Sequence, residues 1–196
     1  MLLGRYPLGS RLDQNALAQE LGVSTIPVRE ALRRLEAEGL VSISPRRGAF
    51  VATLSPNELR EIYQIREVLD ELAIKNAVPR LSDDALARLG GVVEALDEAT
   101  EAGDVDALLR LNRQFHGTIY AAAAMPRLLA LISNLADRYA VYNRVYVPRH
   151  AEQSRREHLE IYAACRSRDV RLAARLTRQH IRRACRQLLK DLEAMV

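Results

Sequence analysis

Asn112, His116, His158 and His180 are the side chains of this 196-residue chain best suited to holding a cation. Neutral imidazole is a common ligand for divalent transition metals. Asn112 and His116 stand at i and i+4, so a helix puts both on one face. His158 and His180 come from later segments. Three imidazoles converging inside a helical bundle, with Asn112 or a water completing the set, make a divalent-metal site. Spacing alone leaves open the commoner role of a helical histidine, a surface or hydrogen-bonded side chain. The fourth histidine, His150, follows Pro148, matches no pattern and is expected at the surface. A metal-dependent hydrolase is the alternative use of such a centre. However, the chain has no P-loop, HExxH, nucleophile elbow or paired-carboxylate signature. Cys165 lies seven residues after His158 and could approach the same face, but a buried structural thiol is the simpler expectation.

Arginine supplies the second set. It accounts for all the basic residues except Lys75 and Lys190. Thr25, Arg29 and Arg33 recur at i, i+4 and i+8, opposite an apolar stripe of Val28, Ala31, Leu32 and Leu35. Two arginines and a threonine near a helix start suit a DNA major groove, because Arg bonds guanine bidentately and the helix N-terminus favours phosphate. Arg46 and Arg47 sit at a predicted hairpin tip, within reach of a backbone or minor groove. The plain alternative for these arginines is a solvated charged face.

The elements that must carry these residues can be read from punctuation and periodicity. Five of the nine glycines precede residue 54, which predicts short elements first and long helices afterwards. Asp13 to Leu21 reads as a helix ended by Gly22. Ser24 can cap the next, with Pro27 in its first turn, and Gly39 stops it. Residues 40–44 and Ala49-Phe50-Val51 read as a hairpin about Pro45-Arg46-Arg47-Gly48. Ser55-Pro56-Asn57-Glu58 is a capping box, and Ile62, Ile65, Leu69 and Leu72 give its helix an expected core face. Helices are also predicted from Ser82, from Asp104 to Tyr120, from Pro126 to about Val147, from Pro148 to about Arg168, and from Asp169 onward. The expected architecture is mainly α. Residues 1–54 form a winged helix-turn-helix with a small β-hairpin, and residues 55–196 an all-α antiparallel bundle of about six helices.

Composition sets outer bounds. A hydrophobic fraction of 48% excludes wholesale disorder, and no apolar run approaches the roughly 20 residues of a membrane span. Two cysteines without CxxC spacing favour neither a disulfide scaffold nor a zinc knuckle, so a reduced, cytoplasmic setting is expected. The net charge of +4 hints at an anionic partner. It is unevenly spread: residues 1–54 carry 7 basic and 5 acidic side chains, whereas residues 151–196 carry 11 and 6.

Two stretches are similar to known families. Leu21-Gly22-Val23-Ser24, the run from Pro27 to Val41 and Pro45-Arg46-Arg47-Gly48-Ala49-Phe50-Val51 closely resemble the winged-helix domain of GntR-family transcription regulators. The resemblance implies that Arg29 contacts bases or phosphates of an operator duplex and that Gly48 belongs to the wing tip. Thr25 stands where the family usually has Arg, and only a stub precedes Gly9 where the family has a full first helix. Asn112-Arg113-Gln114-Phe115-His116, Glu157-His158 and Gln179-His180 resemble, more loosely, the FadR C-terminal ligand-binding domain. In that domain an Asp-x-x-x-His pair and two later histidines hold a divalent metal such as zinc, nickel or manganese. Asn112 replaces the Asp with a neutral, weaker ligand. By resemblance, Arg66 would help bind a small organic or sugar acid effector. Its alternative role is an ion pair with Asp70 at i+4. The family further implies a homodimer, most often a repressor, that releases DNA when effector binds.

Overall fold

A computed structural model describes residues 6–194, without the side chains of residues 140, 141 and 145. The stub expected ahead of Gly9 falls largely on residues 1–5, outside the described residues. Asp13 starts the first helix, α1 (Gln14–Leu21), by accepting hydrogen bonds from the amides of Asn15 and Ala16. Gly22 ends it in the left-handed region, at φ 65°. That conformation is cheap for glycine and makes the turn into α2 (Thr25–Ala37) tight. Ser24 occupies the N-cap in extended conformation but makes no side-chain cap bond. Val28 and Leu32 are the buried anchors of α2, while Ala31 is exposed, so the stripe is narrower than its periodicity suggested.

The hairpin pairs β2 (Val41–Ser44) with β3 (Gly48–Val51), Ser44 opposite Gly48 and Val41 opposite Val51. A third strand, β1 (Arg11–Leu12), adds to the other side of β3. Two residues are too few to show an alternation, so this strand left no sequence signal. Leu12, Ala18, Val28, Leu32, Val41 and Val51 form the buried core of this head.

The capping box forms as expected. The Ser55 side chain accepts from the Glu58 amide, and Glu58 reaches back to the Ser55 amide, opening α3 (Pro56–Ala77). A 3-10 turn at Val78–Arg80 leads to α4 (Asp83–Ala102), followed by α5 (Val105–Ala121), α6 (Pro126–Arg138), α7 (Ala140–Arg166) and α8 (Val170–Glu193). Helix α3 lies along α8, α7 packs on α8, and α4 contacts both α5 and α7. Phe115, Ile74, Leu89, Ile119 and Ile161 are among the fully buried side chains of this bundle. No helix among the described residues is long and apolar enough to cross a membrane.

Two expectations need correcting. The break after Pro126 falls at Tyr139, not at Pro148, and Pro148 lies inside α7 with non-helical angles at His150. Proline removes one i to i−4 bond, and packing on both sides holds the helix through the kink. The Tyr139 ring is buried against Tyr63, 5.1 Å between centroids. That contact is distant in sequence and invisible to periodicity. The core face of α3 also differs. Ile62 is buried, but Ile65 and Leu72 are 42% and 41% exposed, and the inward face instead carries Leu59, Tyr63, Arg66, Asp70 and Ile74. The helix therefore turns a charged pair toward the bundle interior and part of its apolar stripe outward.

Candidate metal and effector site

Asp104 caps α5 through the Ala107 amide and so sets the helix that carries Asn112 and His116, one turn apart. His158 comes from α7 and His180 from α8. One ring nitrogen of each of the three histidines lies within 4.8 Å of the others. His116 Nε2 and His158 Nε2 are 3.3 Å apart. His158 and His180 are 2% and 6% exposed, and Phe115 packs its ring 4.5 Å from that of His158. Burial, reinforced by the neighbouring imidazoles, pushes the pKa of His116 and His158 well below the ordinary value. Both rings are therefore neutral near pH 7, the form that donates a lone pair.

A supporting carboxylate orients the third ring. His180 Nδ1 donates to Glu157 at 2.6 Å, because an ionised carboxylate can only accept, so Nε2 is the His180 ring nitrogen that this bond does not engage. Burial opposes charge on Glu157, yet hydrogen bonds from His180 and Arg183 hold its pKa at about 2. Glu157 adjoins His158 in sequence, but neighbours on a helix point in different directions, so nothing local predicted its bond to His180. The donor set fits a divalent cation: three convergent imidazoles, two of them neutral and facing, and a buried Nδ1 of His158 without a hydrogen bond. Asn112 lines the same small cavity, of about 50 Å³, together with Arg66.

The ion-pair reading of Arg66 holds, and the same side chain lines the cavity. It bonds Asp70 at 2.7 Å across one turn, and it faces the cavity with 7% exposure. Its guanidinium lies 5.1 Å from the Tyr139 ring centroid and 5.7 Å from that of Tyr63. Arg66 Nε and Asp70 Oδ1 are buried without hydrogen-bond partners. Most buried polar atoms in folded proteins have a hydrogen-bond partner, protein or water. A second cavity, of about 470 Å³, shares Arg66, Asn112, His116, Tyr139 and Asn143 with the first and opens among α5, α6 and α7. Ion pairs Arg113–Asp137 (3.2 Å) and Arg144–Asp106 (2.6 Å) stand along it.

Of two other expectations, the buried structural thiol holds and the surface histidine does not. Cys165 is fully buried in the main bundle core and does not line the histidine cavity. His150 is partly buried rather than at the surface, with Nε2 2.9 Å from Asp191 and its ring stacked on Tyr146.

In the head, Arg29 and Arg33 are exposed on α2, and Thr25 is half-buried at its first position. Neither arginine makes an ion pair among the described residues. Helix α2 packs on the hairpin through Leu32, Val41 and Ala49. Arg46 and Arg47 are exposed at the hairpin turn, Arg46 at φ 64° and Arg47 with its guanidinium 5.9 Å from the Phe50 ring centroid. Gly48 has φ 104°, a conformation that L side chains rarely adopt.

The profile described as bacterial regulatory proteins, gntR family, matches residues 1–51, and that of the FCD domain matches residues 61–183. The HTH-type transcriptional regulator McbR of Escherichia coli K12 is 34% identical over 171 residues, covering 85% of this chain and 77% of McbR. The HTH-type transcriptional repressor GlaR of the same organism is 28% identical, covering 92% of this chain and 87% of GlaR. The solved structure of E. coli McbR/YncC superposes with a TM-score of 0.86 at 29% identity, covering 96% of this chain and 91% of that one. With a winged helix-turn-helix ahead of a helical FCD domain, the chain belongs to the GntR family of DNA-binding transcription regulators, a family of regulators and not of enzymes.

Proposed function

We propose that this regulator is a repressor whose grip on its operator is released by a small carboxylate bound beside a metal in the helical domain. The observation that carries this reading is the histidine triad, two of its members buried, opening through Arg66 into a cavity large enough for an organic or sugar acid. Residues 1–54 act as the head and residues 55–196 as the effector and pairing domain. Two chains pair through their helical domains, and their heads read two half-sites of a roughly palindromic duplex in the cytoplasm. Thr25, Arg29 and Arg33 present the groove-facing side of α2, and Arg46, Arg47 and Gly48 form the wing. The relative named as a repressor supports that sign of regulation.

Asn112, His116, His158 and His180 would hold the metal, which would supply a positive centre for the effector carboxylate. An all-neutral ligand set grips a cation less tightly than one containing Asp. It also leaves more of the cation's charge uncompensated, which favours an anionic effector. Arg66 meets the anion with the N–H that Asp70 leaves unused. Glu157 keeps His180 in the tautomer that ligates.

Elemental analysis of chelator-free protein should find about one divalent metal per chain, lost in His158→Ala and His180→Ala. A thermal-shift screen of organic and sugar acids should give stabilising hits that depend on both metal and Arg66. Equal metal content in all three proteins would overturn the metal site, and hits insensitive to Arg66→Ala would remove that residue from the effector's grip.

A further inference from the structure

The outward face of α3 offers a second kind of surface. Val68 is 67% exposed, and Ile65 and Leu72 on either side of it are 42% and 41% exposed. With Glu61 and Lys75 they fall at positions 61, 65, 68, 72 and 75, steps of four, three, four and three. That alternation defines a straight seam along a helix, the spacing by which one helix packs against another. Among the described residues, the remaining large exposed hydrophobics of the bundle, Leu131 on α6 and Leu159 on α7, are scattered singly on other helices.

The charges beside the seam are already matched within the chain. Glu67 accepts from Arg182 of α8 at 2.5 Å, and Arg178 lies 3.6 Å from both Glu67 and Glu71. A partner meeting this face therefore encounters little uncompensated charge between Ile65 and Leu72. Next to the stripe lies a hollow of about 370 Å³ bounded by Val68, Leu72, Lys75 and Arg178. Large side chains from a second helix can fill it.

We infer that this seam is where two copies of the chain meet, α3 against α3 and antiparallel, about a two-fold axis near Val68. The inference rests on the dimeric reading above and adds the face, the direction and the register. The seam is self-complementary in one direction only. Glu61 and Lys75 are equidistant from Val68, seven residues to either side. Antiparallel pairing with Val68 on the axis sets each copy's Glu61 beside the other's Lys75, which also pairs with its own Glu71 at 2.6 Å, and brings Ile65 within one residue of the other copy's Leu72. Parallel pairing would place Glu61 on Glu61 and Lys75 on Lys75, a like-charge arrangement that costs free energy. An isologous contact of this kind is what a closed two-fold dimer requires. Because α3 begins at Pro56, directly after the winged head, such an axis would also set how the two heads are spaced.

Sedimentation analysis of the full chain over a range of concentrations tests this. The wild type should be dimeric. Val68→Glu should weaken the dimer roughly a hundredfold, with unchanged circular dichroism because the side chain is exposed. Leu131→Glu should stay dimeric. Glu61→Lys and Lys75→Glu should each weaken association, and the double variant should recover it. A dimer untouched by Val68→Glu would overturn the α3 seam while leaving the two-fold reading intact. Charge reversals that fail to compensate each other would overturn the antiparallel register. A wild type that stays monomeric at every concentration would overturn both the seam and the dimeric reading.

Discussion

Arg29 shows how a single position joins sequence to function. Its exposure on α2 follows from the burial of Val28 and Leu32 on the same helix. Arg29→Ala should weaken specific operator binding by about 1–3 kcal/mol, read by fluorescence anisotropy, while nonspecific binding to bulk DNA changes far less. Histidine identity announced the candidate ligands, yet the partners that tune them were silent in the sequence. Glu157 reaches His180 from another helix, and Asp70, legible as an i+4 partner of Arg66, gave no sign that the pair would be buried. Cys165 illustrates the opposite case, a reactive residue type made inert by packing. Burial pushes its thiol up to about 12, with Arg168 opposing only in part. At pH 8 a thiol reagent should leave Cys165 unlabelled in folded protein and modify it only after denaturation, as peptide mass spectrometry would show. Fast labelling of the native protein would contradict its placement in the core.

Helices and turns were legible wherever a local signal sets them. Asp13, Ser55, Ser82, Asp104 and Asp169 each cap the helix that follows, because a side-chain acceptor beside unpaired amides is a strictly local device. Ser55→Ala removes one half of the capping box at the junction of head and bundle. It should cost about 1 kcal/mol, lowering Tm by about 2–4 °C, and calorimetry would check it. The elements that went astray are those set by distant contacts. The break at Tyr139, where Pro148 looked like the obvious boundary, depends on a ring buried against α3. The face of α3 was misassigned because Ile62, Ile65, Leu69 and Leu72 share a plausible stripe. The bundle uses the side bearing Arg66 and Asp70 instead, and only their mutual pairing makes that burial tolerable.

The head and the bundle are physically joined. The Leu54 amide donates to the Tyr142 hydroxyl at 2.5 Å, and Leu8 and Leu54 pack against the aromatic cluster of α3 and α7. Arg138 of α6 crowds Gly39 at the end of α2, where a Cβ would collide with its guanidinium. These contacts tie the bundle to the segments that flank the sheet and follow α2. A metal held by α5, α7 and α8 would tie three separate helices, so removing it with a chelator should lower Tm by several degrees, and adding it back should restore the original value. A Tm indifferent to both treatments would argue against a metal bridging these helices. The residue order was enough to specify the helix-turn-helix, the hairpin and six bundle helices, and to single out histidines as candidate ligands, because caps, turns and periodicity act over a few residues. It was not enough to specify that three histidines share one buried point, that Glu157 steers one of them, or that Ile65, Val68 and Leu72 face outward. Those outcomes depend on which helix faces which, and that choice is made by side chains far apart in sequence competing for the same buried volume.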